Sequence, residues 1–324
     1  MENRPDPLVV ALISLMAVAA PFAQTPAAPQ APAAAGATLE ATVAPGANFD
    51  KANFKLWYPT GAAASHLQGV VVLVPGSNGD GRAQADDPVW QEFATRNHLA
   101  LVGCQFTDKP HDQNFIEDYV NVSNGSGQAL LDALATFADK SHHPELAGAP
   151  LLLWGMSAGG QFNYEFVAWK PERVIAFVVN KGGIYYSALL SKAARAVPGI
   201  LFIGGKDLWS RIDTISGLFA VNRRGGALWA LAEEPAAGHI VGKSRDVALL
   251  LYEDVLALRL DSGSTVLKPI ADKTGFVGDL RAKTFAPIAT APATTGPTVW
   301  FPTERVARAW LAMVTEKAIG AGHH

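Results

Sequence analysis

The spacing of apolar residues changes several times along the chain, and each change marks an element. Residues 38–43 alternate, with Leu39, Ala41 and Val43 apolar between polar neighbours, and residues 54–58 follow. Together they predict an antiparallel entry to a sheet with one face buried. The period then disappears: residues 69–74, 99–106, 149–154, 174–179, 199–204 and 227–232 are short, nearly unbroken apolar runs. Such runs read as strands covered on both faces, as in a parallel sheet. Helical spacing separates them. A helix is expected over 89–97, another carries Leu130, Leu134 and Phe137, and a third carries Phe162, Phe166 and Trp169 up to Pro171, which must end it. Further helices are expected over 187–195 and 212–222, with a last stripe of Val247, Leu250, Leu251, Val255 and Leu258. Strands alternating with helices predict an α/β domain over residues 38–260, with a mostly parallel sheet of about eight strands.

Both ends depart from this rhythm. Residues 8–20 are apolar apart from Ser14, too short a run to cross a bilayer and the right length for the core of an export signal. Residues 1–23 are read as a signal peptide and 24–37 as an Ala/Pro-rich linker. The expected location is secreted or periplasmic, with no stable membrane anchor once the signal is removed. Residues 261–298 are rich in Pro, Ala and Thr, after which Thr303 can cap a helix bearing Val306, Trp310, Met313 and Val314. That stripe needs burial, so the extension 261–324 is expected to dock on the core.

Composition narrows the function. Of 324 residues, 49% are apolar and 17% charged, with a net charge of −3, which gives no support to a nucleic-acid partner. Cys104 is the sole cysteine, so neither an internal disulfide nor a cysteine-based zinc site can form, and its apolar strand predicts an inert buried thiol. Adjacent His142 and His143 do not suggest a metal, because neighbours in sequence seldom converge on one ion. No cofactor is expected.

The chemistry centres on Gly155-Met156-Ser157-Ala158-Gly159, at the junction of an expected strand and an expected helix. A serine on such a turn has a strained backbone, and the flanking glycines let strand and helix approach. Its hydroxyl then stands clear of the sheet as a candidate nucleophile. Such a nucleophile needs a base and an acid that orients it. Asp207 follows the run 199–204, at the strand end where ligands meet parallel sheets. His239 lies in the loop after the next strand. Asp213 competes for the acid role, but six residues further on it should already be in a helix. The N–H of Ala158 is one expected oxyanion donor, and the loop Pro75-Gly76-Ser77-Asn78 supplies the other, Ser77 by preference and Asn78 in reserve.

The order Ser157, Asp207, His239 on loops after successive strands resembles the α/β-hydrolase superfamily over about residues 37–260. Gly-Met-Ser-Ala-Gly-Gly, Gly-Gly-Lys-Asp and the Gly-His loop are similar to those of secreted serine esterases related to feruloyl esterases and polyhydroxyalkanoate depolymerases. The chain departs from that pattern in having no His-Gly-Gly-Gly, no disulfides and an unassigned tail. The resemblance implies an α/β-hydrolase fold without a large lid domain, since only eighteen residues separate Asn180 from Gly199. It also implies hydrolysis of a small-molecule or polymeric carboxylic ester through a Ser-His-Asp triad. Trp209 and Tyr185, with Tyr186, follow strand ends on the same face and are expected to line the substrate pocket. A peptidase or lactonase would use the same triad, and a non-catalytic binding protein could share the fold.

Overall fold

In the computed structural model the described residues are 35–61, 65–113, 116–261, 263–271, 273–292 and 296–319. The expected signal peptide and the linker as far as residue 34 lie outside the described residues. The chain enters through the antiparallel pair β1 (Gly36–Val43) and β2 (Lys51–Pro59), then alternates: β3 (Gly69–Val74), α1 (Pro88–Arg96), β4 (Leu99–Thr107), α2 (Ser126–Ser141), β5 (Leu151–Gly155), α3 (Ala158–Trp169), β6 (Val174–Asn180), α4 (Lys192–Arg195), β7 (Gly199–Gly204), α5 (Trp209–Arg224), β8 (Trp229–Glu234) and α6 (Ser244–Arg259). The eight strands form one sheet in the order β1-β2-β4-β3-β5-β6-β7-β8, parallel from β4 to β8. This is the α/β-hydrolase architecture.

The local chemistry explains each boundary. β3, β5, β6 and β7 are buried along their whole length, as strands covered on both faces must be. Asp87 caps α1 by accepting the Val89 N–H at 2.8 Å, with Pro88 at the first helical position where its missing donor costs nothing. Phe106 gathers the core on one side of the sheet, stacked with Phe162 and Tyr119 and meeting Phe54 edge-on.

Several expected elements are shifted. The helix expected over 187–195 shrinks to the single turn of α4. Side-chain acceptors hold the residues before it in a loop: Glu165 accepts the N–H groups of Tyr186 (2.8 Å) and Ser187 (2.9 Å), and Asn222 accepts that of Leu190 (2.9 Å). Ser191 then caps α4 through the Ala194 N–H. The strand expected over 227–232 starts two residues later, at Trp229. The helix expected from Ile212 begins earlier, at Trp209.

The extension holds a sheet that the apolar pattern did not announce. β9 (Phe276–Asp279), β10 (Thr284–Pro287) and β11 (Thr298–Phe301) pair antiparallel with β9 in the middle, and α7 (Glu304–Val314) follows. Strands of four residues are too short for alternation to register. Trp310 is fully buried and its indole N–H donates to Leu231 O of β8 at 2.8 Å, while Arg305 pairs with Glu253 and Asp254 of α6. Arg259, at the end of α6, donates to Val174 O (2.7 Å), Ile175 O (2.8 Å) and Lys268 O (3.1 Å), tying the extension to β6. Burial lowers its pKa to about 10.

Candidate active site

Ser157 stands between the last residue of β5 and the first of α3, with φ +56° and ψ −126°. That conformation is strained for a residue with a Cβ and is the kind of outlier that clusters at functional sites. The flanking glycines make it feasible. A Cβ on Gly159 would lie 2.2 Å from Val74 O, and one on Gly155 would lie 2.4 Å from the Gly159 carbonyl carbon. Both contacts are with backbone, so no rotamer change could relieve them. The Ser157 N–H donates to Asn180 O at 2.8 Å, which fixes the turn to the end of β6.

Asp207 and His239 come to the same edge of the sheet, on the connections after β7 and β8. His239 Nδ1 is 2.9 Å from Asp207 Oδ2. The other carboxylate oxygen accepts the Leu208 N–H (2.7 Å) and Arg211 Nη1 (3.1 Å). The Asp207 side chain is 2% exposed, and that burial by itself would raise its pKa. The His239 hydrogen bond, the Leu208 N–H, the imidazole charge and Arg211 outweigh it, so the carboxyl lies below its ordinary range. With Nδ1 facing a carboxylate, the imidazole carries its proton there and leaves Nε2 free to accept one. Among the described residues no hydrogen bond joins His239 to Ser157 Oγ, an open geometry common before substrate binds. Asp213 lies within α5, as its spacing predicted.

The loop after β3 lies against the serine: a Cβ on Gly76 would sit 3.6 Å from Ser157 Cβ. The two donors considered in this loop differ. The Asn78 N–H is spent on Tyr119 Oη at 3.2 Å, and its side chain bridges to Asp108, which accepts the Tyr119 N–H. Ser77 N–H has no acceptor among the described residues, and neither does the N–H of Ala158 at the start of α3.

Around these groups the surface is apolar. Leu208 (58% exposed) and Trp209 (76%) follow Asp207, and Ile240 (57%) follows His239. Tyr185 is placed otherwise than expected. Its ring turns inward edge-on against Tyr164, its hydroxyl is buried with no hydrogen-bond partner among the described residues, and it is Tyr186 that is exposed. Trp209 opens helix α5, where the expectation had it in a loop.

Several contributors escape sequence reasoning. Arg211 could have been found, since it lies four residues after Asp207 and one helical turn brings the two together. Tyr119, Asn180 and the buried Lys181–Glu234 pair (3.4 Å) could not, because only the tertiary fold unites them with the site. Among the described residues, no group of three His, Cys, Asp or Glu side chains could hold a metal ion, and no helix is long and apolar enough to cross a membrane.

Neither a protein-family model nor a curated relative matches the chain. Among solved structures it is similar to a ferulic acid esterase at 11% identity, over 69% of this chain and 99% of that one, with a TM-score of 0.49. It is also similar to the fluorophosphonate-binding serine hydrolase F of Staphylococcus aureus (11% identity, 68% and 99%, TM-score 0.48) and to a thermostable esterase (14%, 60% and 54%, 0.47).

Proposed function

We propose that the chain is an exported serine esterase that cleaves carboxylic esters through an acyl-enzyme. One observation carries the reading: a serine held at positive φ between a buried strand and a helix, on the sheet edge where His239 and Asp207 are hydrogen-bonded. Ser157 Oγ attacks the ester carbonyl carbon while its proton passes to His239 Nε2. Asp207 accepts from Nδ1 and stabilises the imidazolium. The developing oxyanion accepts from the N–H groups of Ala158 and Ser77, neither of which has an acceptor among the described residues, the first aided by the α3 dipole. The imidazolium then protonates the leaving alcohol. Water, deprotonated by the same Nε2, attacks the acyl carbon and releases the acid, returning the proton to Ser157.

The substrate proposed is a bulky, aromatic or polymeric ester. The connection between β6 and β7 contains only the single turn of α4, too little for a cap, and exposed Leu208, Trp209 and Ile240 flank the acid and base with apolar surface. Export is supported by the apolar run at residues 8–20. A panel of p-nitrophenyl and feruloyl esters tests the activity. The wild-type chain is expected to hydrolyse short-acyl and aromatic members, and Ser157→Ala to lose at least about a thousandfold in turnover while remaining folded. Turnover near wild type in that variant would contradict the proposal.

A further inference from the structure

The connections entering β7 and β8 meet the extension at the N-terminal edge of the parallel strands, away from the edge that carries Ser157, Asp207 and His239. A cavity of about 320 Å³ lies there, at the lower end of the sizes that hold small molecules. Lys192, Arg195 and Arg223 bring cationic groups to its lining, and Val277, Ile288 and Trp300 apolar ones.

The two arginines are held rigidly by carbonyl groups. Arg195 donates from Nε to Gly225 O (2.9 Å) and from Nη1 to Leu190 O (2.5 Å). Arg223 donates from Nε to Thr298 O (3.2 Å) and from Nη1 to Ala227 O (2.8 Å). Nη2 of each guanidinium has no acceptor among the described residues, and Lys192 Nζ has none either. No acidic residue lines the cavity, and none of the three cations forms an ion pair among the described residues. Three uncompensated positive charges around one cavity create a field that favours an anion. Burial lowers the Arg223 pKa, and no carboxylate offsets it. Trp300 also lines the cavity, and its indole N–H is already used on Thr274 O at 3.0 Å, so that donor is not available to a ligand.

We propose that this cavity binds a small amphipathic carboxylate, its anionic head between Arg195, Arg223 and Lys192 and its aryl or alkyl body against Trp300, Ile288 and Val277. The carboxylate oxygens can accept from the remaining Nη2 of each guanidinium in charge-assisted hydrogen bonds. An inorganic anion would satisfy the cations but leave the apolar lining without a partner, and a neutral alcohol would do the reverse. The site is separate from the ester reaction proposed above and does not depend on it.

The test uses the full chain with 4-bromobenzoate, whose bromine can be located by anomalous scattering after soaking crystals and whose affinity can be measured by calorimetry. The bromine is expected against Trp300, with the carboxylate on the guanidinium groups. Lys192→Glu, at an exposed position whose side chain makes no hydrogen bond among the described residues, should weaken binding about tenfold. Arg223→Gln should weaken it at least as much, and its melting temperature shows whether the contact to Thr298 survives. 4-Bromobenzyl alcohol and inorganic phosphate should each bind at least about tenfold more weakly. Bromine only at the Ser157 edge or nowhere, or unchanged affinity in Lys192→Glu, would overturn the proposal. Equal affinity for the alcohol or for phosphate would also overturn it.

Discussion

His239 Nδ1 and Asp207 Oδ2 lie 2.9 Å apart, and the remaining oxygen of that carboxylate is fixed by the Leu208 N–H and Arg211. The pair fixes which imidazole nitrogen bears the proton. Asp207→Asn, which can place an N–H opposite Nδ1 and favour the wrong tautomer, is expected to lower ester turnover by about 10³–10⁴-fold. Asp213→Asn, inside α5, should leave turnover within about twofold of wild type. Steady-state kinetics on the two variants separates them, and loss confined to Asp213→Asn would reverse the assignment.

The depressed Asp207 pKa also links the site to stability. Its folded-state value is below the unfolded one, so folding favours the ionised carboxylate. The stabilisation is therefore complete above the unfolded value of about 3.9 and is lost as pH falls through the folded value. Urea midpoints of wild type and Asp207→Asn should differ by a constant amount from about pH 7 to 5 and converge below about pH 4. A gap that widens in acid would contradict the linkage.

Lys181 is wholly buried beside the site, with Nζ 3.4 Å from Glu234 Oε2 and 3.2 Å from Asn180 Oδ1, while Glu234 Oε1 accepts the Lys243 N–H in the His239 loop. Burial lowers the lysine pKa, with Glu234 and Asp207 pulling the other way. Glu234→Ala leaves a buried ammonium without its partner and should cost about 3–5 kcal/mol. Adding Lys181→Met should recover part of that loss. Denaturation of the two singles and the double decides the point, and a double variant that loses the sum of the singles would show the charges to be uncoupled.

Much of this architecture was legible because parallel strands buried on both faces leave an unambiguous mark. The runs at 69–74 and 199–204 coincide with β3 and β7 to the residue. The turn around Ser157 was equally legible, since Gly155 and Gly159 stand where only glycine fits. The sequence said less where side chains compete with the backbone for hydrogen bonds. Glu165 and Asn222 hold residues 186–190 in a loop where periodicity predicted helix, and nothing local announces that role. Tyr185 was misread for a related reason. A tyrosine after a strand end can face the cleft or the core, and Tyr164, nearby only in the fold, draws it inward. The extension sheet was missed because its partner strands are brief and their pairing is tertiary.

The choice of Ser77 over Asn78 as the second oxyanion donor was likewise weighted by sequence, and the Asn78–Tyr119 hydrogen bond now favours it on physical grounds. A donor already bonded to a hydroxyl must break that bond to serve an oxyanion, whereas the Ser77 N–H has no such cost among the described residues.

Covalent labelling distinguishes a Ser157 nucleophile activated by His239 from an unreactive hydroxyl. The full chain is treated with a fluorophosphonate, which reacts with activated serines, and the labelled peptide is identified by mass spectrometry. A single adduct on Ser157 is expected, with labelling abolished in Ser157→Ala and slowed at least about a hundredfold in His239→Ala, both variants retaining the wild-type fold. No adduct on the folded wild-type chain, or an adduct on another serine that persists in Ser157→Ala, would contradict it.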